Sequence, residues 1–138
     1  MIHELATAIE RAAQKEGLQF IFEQAAASNV DADAIQGATC ELRAVASGQY
    51  DVDGGIYTAA VDVLLMCYDV MPFDFTGWEA AELVDDMIAK AIRIIAEIST
   101  VFSFEREMRF TTLYDNYDVN VGGVAVEFRV KGLPQCLG

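Results

Sequence analysis

A long stretch of regularly spaced apolar residues lies near the middle of the chain, between Phe73 and Ser99. The apolar positions recur three and four residues apart, as on one face of a helix; they are Ala80, Leu83, Val84, Met87, Ile88, Ala91, Ile92, Ile95 and Ile98. Thr76 and Glu79 have the spacing of a capping box, in which each side chain bonds the backbone N–H of the other. Favourable four-residue ion pairs are Asp86 with Lys90 and Arg93 with Glu97. The pattern predicts an amphipathic helix over about 76–98 that lies on a sheet.

The N-terminal part predicts a helix, a strand and a loop. Residues 2–16 have apolar positions on one side, and Gly17 stands where a helix would stop. Residues 18–24 are mostly large and apolar and fit either a strand or a continuation of the helix; their length and aromatic content favour a strand. Residues 25–36 are small, polar and acidic. They predict a loop long enough to be functional.

Two strand patterns then flank a turn. Residues 38–50 alternate loosely, residues 51–55 have the composition of a turn, and residues 56–70 form the second pattern, so the three together predict a hairpin. The middle of the second strand, Val61 to Cys67, is apolar on both faces except at Asp62. This indicates a central strand with the long helix on one side. The other side would be covered by the N-terminal helix or by another subunit.

After the long helix the pattern predicts a second hairpin. Residues 101–113 alternate as a half-buried strand, and residues 119–131 form its partner. In that partner strand the apolar residues occupy odd-numbered positions before Gly122 and Gly123 and even-numbered positions after them. This change predicts a β-bulge at the two glycines. The order α-β-β-β-α-β-β indicates a single α+β domain over residues 1–138. Its antiparallel sheet would have four to five strands, with the long helix on one face.

Length and composition are those of one folded domain. The chain has 138 residues, of which 54% are hydrophobic, so it can build a single core. No apolar run approaches the ~20 residues of a membrane span, and the first residues lack the pattern of a signal peptide. We therefore expect a protein made in the cytosol. Cys40, Cys67 and Cys136 are too far apart for a zinc knuckle and are expected to be reduced core residues.

The net charge of −13 limits the kinds of partner. Such a field repels phosphate backbones and anionic lipids, which argues against specific nucleic-acid binding and against membrane docking. The stretch between Val30 and Phe75 contains one base, Arg43, and eight acids: Asp31, Asp33, Glu41, Asp51, Asp53, Asp62, Asp69 and Asp74. They form either a solvated face or a face that meets a basic partner or lines a channel.

The sequence contains no recognisable catalytic, cofactor or metal motif. His3 is the single histidine and lies at the N-terminus, which makes a histidine-based triad a poor hypothesis. Asp51 and Asp53 resemble the start of a calcium loop, but Ile56 stands where that loop needs glycine. We therefore expect no enzyme activity, no cofactor and no metal.

Interaction surfaces are the remaining candidates for function. Asp31 and Asp33 lie in the predicted acidic loop, and Asp51 and Asp53 in the hairpin turn. An aromatic group, consisting of Phe73, Phe75 and Trp78, precedes and begins the long helix. These aromatic residues either anchor a partner or close the end of the core.

The order of elements resembles that of the small tail-terminator and tail-completion proteins of long-tailed bacteriophages and prophages. The stretches that carry the resemblance are residues 56–75, the helix from Thr76, and residues 113–124. In the last of these, a polar turn leads into a strand that restarts after glycine.

The resemblance implies a structural protein of the virion, made in the bacterial cytoplasm. Such proteins form a ring, commonly a hexamer, that caps the tail tube and presents a surface to head-completion proteins. Its partners would be copies of itself, the tail tube and the head-completion proteins, and DNA would pass through without being gripped. The alternatives are a small acidic α+β ligand-binding or regulatory domain that acts as a monomer or dimer, and an enzyme.

Overall fold

Two helices and one mixed β-sheet make up the described part of the protein. The computed structural model describes residues 1–24, 37–72, 75–114, 120–132 and 135–136. In chain order the elements are α1 (Ile2–Lys15), β1 (Gln19–Gln24), β2 (Thr39–Asp51), β3 (Ile56–Val70), α2 (Gly77–Ile98), β4 (Ser103–Phe104), β5 (Arg109–Tyr114), β6 (Val121–Lys131) and β7 (Gln135–Cys136). The predicted α+β class is confirmed.

The first helix ends just before Gly17, as the sequence predicts. Gly17 has a φ of +78°, which favours glycine over other residues. The Gly17 N–H donates to the Gln14 carbonyl at 3.1 Å, and the Leu18 N–H donates to the Ala13 carbonyl at 3.0 Å. These two bonds form a Schellman motif. It satisfies the last carbonyls of α1 and turns the chain into β1, which confirms the predicted strand.

The second helix begins with the predicted capping box. The Glu79 N–H donates to Thr76 Oγ1 at 3.2 Å, and the Thr76 N–H donates to Glu79 Oε1 at 3.5 Å. The apolar face is shifted slightly from the predicted one, because Ile94 is fully buried whereas Ile92 is 50% exposed. The predicted helix is confirmed.

Ion pairs join the two helices to each other. Lys90 pairs with Asp86 at 3.2 Å, as predicted. Arg93 does not pair with Glu97, however; it pairs with Glu16 at the end of α1, and Glu97 pairs with Lys15. The prediction missed these contacts because sequence spacing shows only partners on the same helix.

The sheet is mixed, which corrects the predicted antiparallel sheet. The strands lie in the order β1-β2-β3-β6, with β4 and β5 beside β6, and β7 pairs with β3. β1 runs parallel to β2, and the other pairs are antiparallel. A parallel pair needs a connection of about a dozen residues. Residues 25–36, predicted as a loop, supply this connection and lie outside the described residues.

Both helices cover the same face of the sheet. The main core lies between this face and the helices, and its largest fully buried side chains are Leu5, Ile9, Leu42, Leu65, Met87, Ile94, Ile98, Val61 and Val124. The N-terminal helix therefore does not cover the opposite face of β3, which was one of the two possibilities for that face. We call the face opposite the helices the open face.

The predicted strand over residues 101–113 is interrupted. Phe104 lies opposite Val130, and Arg109 lies opposite Glu127, so this segment has two more residues than β6 between these pairs. Residues 105–108 therefore do not continue the strand, although the Glu105 N–H still donates to the Arg129 carbonyl of β6. An insertion of two residues keeps the alternation of faces unchanged, which explains why the pattern did not reveal it.

The predicted bulge at Gly122 and Gly123 is wrong. The register from Val121 to Lys131 against β3 is continuous. The apolar residues change from odd-numbered to even-numbered positions because β6 buries side chains on both of its faces here. Val124 belongs to the main core, and Val121 belongs to a smaller cluster on the other face. The other members of the smaller cluster are Met66, Tyr68, Leu113 and Ala125.

Candidate functional site

A buried carboxylate lies at the centre of the open face. Glu41 is fully buried, and its two oxygens have different partners. The Tyr68 hydroxyl donates to Glu41 Oε1 at 3.0 Å, and Arg43 Nε donates to Glu41 Oε2 at 2.9 Å. A buried charge needs this kind of compensation. The hydroxyl and the guanidinium hold the carboxylate in place beside the smaller cluster.

An open cleft lies next to this carboxylate. It has a volume of about 1070 Å³ and lies between β2, β3, β6 and residues 105–108. We call it the charged cleft. Its charged lining consists of four arginines and four acids: Arg43, Arg106, Arg109, Arg129, Asp62, Glu105, Glu107 and Glu127. The lining is therefore neutral, whereas the whole chain has a net charge of −13.

A two-bond ion pair crosses the floor of the charged cleft. Arg129 and Asp62 lie opposite each other on β6 and β3. Arg129 Nε donates to Asp62 Oδ1 at 2.7 Å, and Nη2 donates to Oδ2 at 3.2 Å. Glu105 Oε1 lies 3.9 Å from Arg129 Nη1. The hydrogen bonds from Arg129 lower the pKa of Asp62, so this carboxylate stays ionised.

The charged cleft carries equal numbers of positive and negative side chains. Two of its arginines are already paired with carboxylates, Arg43 with Glu41 and Arg129 with Asp62. Its balanced charges give no strong attraction for a polyanion such as DNA. Within the part of the chain that the structure describes, no group of three or more His, Cys, Asp or Glu side chains could hold a metal ion.

Cys40 and Cys67 offer no nucleophile at this surface. Cys40 and Cys67 are buried, free and opposite each other on β2 and β3. The hydrogen bond to Cys67, together with burial, raises the pKa of the Cys40 thiol. A protonated, buried thiol is inert. The expectation of reduced core cysteines is confirmed for these two, and the Cys136 side chain lies outside the described ones.

Both acidic candidates of the predicted hairpin turn are exposed, and they differ in their hydrogen bonds. Asp51 Oδ1 accepts from the Asp53 N–H at 3.1 Å and from the Gly54 N–H at 3.2 Å. Asp51 therefore has a structural role in the turn. The Asp53 side chain is exposed at the tip. Of the two, Asp53 is the better candidate for contact with a neighbour.

The aromatic candidates are only partly brought together. Trp78 is 85% exposed in the first turn of α2, so it does not close the end of the core. Phe75 is half-buried just before the helix. Phe73, Asp31 and Asp33 lie outside the described residues. Trp78 therefore remains a candidate anchor for a partner.

The charged cleft is not predictable as a site from the sequence. Arg43 and Asp62 stand out there as isolated charges, but spacing cannot pair Asp62 with Arg129, because the two residues are far apart in the chain. Only the register of β3 and β6 brings them together. The available signal was Asp62, the single charged residue in the otherwise apolar middle of β3, Val61 to Cys67.

In comparisons with known proteins, no family model matches the chain, and no curated protein matches it. Among the described residues, no helix is both long enough and apolar enough to cross a membrane. Any conclusion about function therefore depends on the surfaces described above.

Proposed function

We propose that the protein is a structural component of virion assembly. It would form a ring, commonly a hexamer in proteins of the kind it resembles, that caps a phage tail tube and joins it to the head. The observation that supports this best is the position of its exposed apolar side chains. Trp78 is 85% exposed, Val52 79% and Val101 76%.

These three side chains lie at the two ends of the molecule. Trp78 lies in the first turn of α2 and Val101 lies just after its end, and the 22 residues of this helix span about 33 Å. Val52 is at the hairpin tip, beyond the end of the sheet at which α2 finishes. A part that joins a tube on one side to a head on the other needs contacts at both ends.

The long hairpin also supports assembly. Every residue from Ala46 to Gly54 is exposed, so the end of the hairpin projects beyond the core. Its exposed apolar side chains are Val45, Tyr50, Val52 and Ile56. An arm of this kind can reach a neighbouring subunit without changing the fold.

Mass measurement tests the proposal directly. Size-exclusion chromatography with light scattering over a range of concentrations should give a multiple of 15.1 kDa, and electron microscopy should show rings with a central channel. Added to the tail-tube protein encoded by the same genome, the ring should bind tube ends and shorten the tubes. A monomer at every concentration, with no effect on tube length, would contradict the proposal.

The charged cleft favours one alternative, a domain that binds a small charged ligand. Its volume of about 1070 Å³ would admit such a molecule, and arginine side chains bind carboxylates and phosphates. A thermal-shift screen with dicarboxylates and organic phosphates separates the two functions. A ligand that raises the melting temperature of a monomer, and loses this effect with Arg129→Ala, would support the alternative.

A further inference from the structure

The two edge strands of the sheet can pair with each other between copies of the chain. Among the described strands, β1 pairs only with β2, and β5 pairs only with β6, so they are edges on opposite sides. An edge strand exposes backbone donors and acceptors that another chain can use. β5 contains no glycine or proline, and its residues are exposed except Leu113.

Two half-exposed phenylalanines stand at opposite ends of one row of the sheet. The row runs from Phe22 on β1 through Leu42, Leu65 and Val126 to Phe110 on β5. Its three middle members are buried in the main core, whereas Phe22 is 47% exposed and Phe110 is 40% exposed. The same row of the same face therefore ends in an exposed aromatic side chain at each edge.

The backbone of Phe22 faces outward from the edge at β1. The Gln19 N–H donates to the Ala38 carbonyl at 2.9 Å, so the backbone of Gln19 faces β2. Backbone groups alternate in direction along a strand. Phe22 lies three residues further on, so its N–H and C=O point away from β2.

The backbone of Phe110 faces outward from the other edge. The Glu105 N–H donates to the Arg129 carbonyl at 3.0 Å, so the backbone of Arg129 faces the side of β6 on which β4 and β5 lie. By alternation Glu127 faces the same side, and it lies opposite Arg109. Arg109 therefore bonds β6, and the next residue, Phe110, points its N–H and C=O away from β6.

The directions of β1 and β5 and the space beside β1 are also compatible with pairing between two copies. From the pairings described above, β5 runs antiparallel to β1. A small groove of about 320 Å³ lies beside β1, on the face covered by α1; Phe22 and Phe20 line it together with His3, Ala6, Thr7 and Glu10. An aromatic side chain that arrives next to Phe22 would enter this groove.

We propose that β5 of one copy pairs antiparallel with β1 of the next copy, with Phe110 opposite Phe22, so that the sheet continues from subunit to subunit. This inference rests on the proposed function and names the contact through which the ring forms. The contact joins two different surfaces, and such a contact closes into a ring when the rotation between copies allows it.

Cysteine cross-linking tests the register. In an antiparallel hydrogen-bonded pair the two Cα atoms lie about 5.5 Å apart, within the range of a disulfide. We expect the double variant Phe22→Cys, Phe110→Cys, made in a Cys136→Ser background, to give a ladder of covalent multimers when copper-phenanthroline catalyses air oxidation. The matched control combines Phe22→Cys with Tyr114→Cys, four residues out of register, and should give at least tenfold less product.

A proline variant tests the edge itself. Thr112 faces outward like Phe110, so Thr112→Pro removes a donor from the edge and leaves the bonds between β5 and β6 in place. We expect the mass to fall to that of the monomer with an unchanged circular dichroism spectrum, whereas Thr112→Ala should keep the ring.

The outcomes separate the two proposals. If the wild type forms rings but Thr112→Pro forms them equally well and the matched cysteines do not cross-link, the edge pairing is wrong and the ring stands. If the wild type is a monomer at every concentration and the cysteines do not cross-link, the ring itself is wrong. Should Thr112→Pro fail to fold, the cross-linking result alone decides.

Discussion

At the scale of single residues, Gly123 shows how closely two central strands approach. A Cβ atom at this position would lie 2.0 Å from the Cys67 carbonyl oxygen and 2.7 Å from the Tyr68 Cα. Both are backbone atoms of β3, which cannot turn aside as a side chain can. The glycine is required for this approach, although its φ is not unusual.

Gly123→Ala should therefore destabilise the protein strongly. We expect a loss of about 3 kcal/mol in the free energy of unfolding, because β6 must move away from β3. Urea denaturation measures it. Gly122→Ala is the matched control: its Cβ would lie 3.1 Å from the end of the Leu83 side chain, which can move, so the loss should be clearly smaller. Equal losses would contradict the explanation.

The lowered pKa of Asp62 predicts that the stability of the protein depends on pH. Arg129 lowers its pKa below the ordinary value of 3.8 in the folded protein. A lowered carboxyl pKa contributes stability that is fully present above the unfolded pKa and is lost as the pH falls through the folded pKa. The stability difference between the wild type and Asp62→Asn should thus be present at neutral pH and vanish in acid.

Denaturation of both proteins across this pH range checks the prediction. The difference should also shrink in 1 M salt, because the pair is exposed and salt screens it. A difference that stays constant with pH would show that the Asp62 charge does not contribute through Arg129.

At the scale of elements, local signals were predictable and strand pairing was not. Gly17 and the capping box of Thr76 and Glu79 act through neighbouring backbone groups, so sequence spacing suffices to find them. The parallel pairing of β1 with β2, and the interruption of the strand at residues 105–108, depend on distant partners. The charged cleft depends on the same pairings, which is why only its isolated charges could be noticed.

The hairpin tip offers a test that separates folding from assembly. Asp51→Ala removes an acceptor of two backbone N–H groups and should cost about 1 kcal/mol of stability. Asp53→Lys reverses an exposed charge and should leave stability unchanged. If the tip reaches a neighbouring subunit, Asp53→Lys should lower the assembled mass in light scattering, while Asp53→Asn should lower it less. Unchanged mass in both variants would remove the tip from the interface.

At the scale of the whole molecule, the net negative charge of the chain and the balanced charges of the charged cleft have different consequences for binding. A net charge of −13 disfavours contact with DNA and with anionic surfaces. The balanced charges that line the charged cleft are compatible with contact with another protein surface of mixed charge. On the proposed function, a ring whose channel is lined by acidic side chains would let DNA pass without holding it, because a negative channel does not bind phosphates tightly.

The two exposed ends of α2 predict two separable losses of function. On the proposed function, Trp78 and Val101 contact different neighbours, because they lie at opposite ends of a 22-residue helix that is about 33 Å long. Trp78→Ser and Val101→Ser should both leave the melting temperature and the ring mass unchanged, since both side chains are exposed. Each should abolish co-sedimentation with only one of the two partners, tail tube or head-completion protein. Loss of the same partner in both variants, or of neither, would show that these ends do not connect the ring to its neighbours.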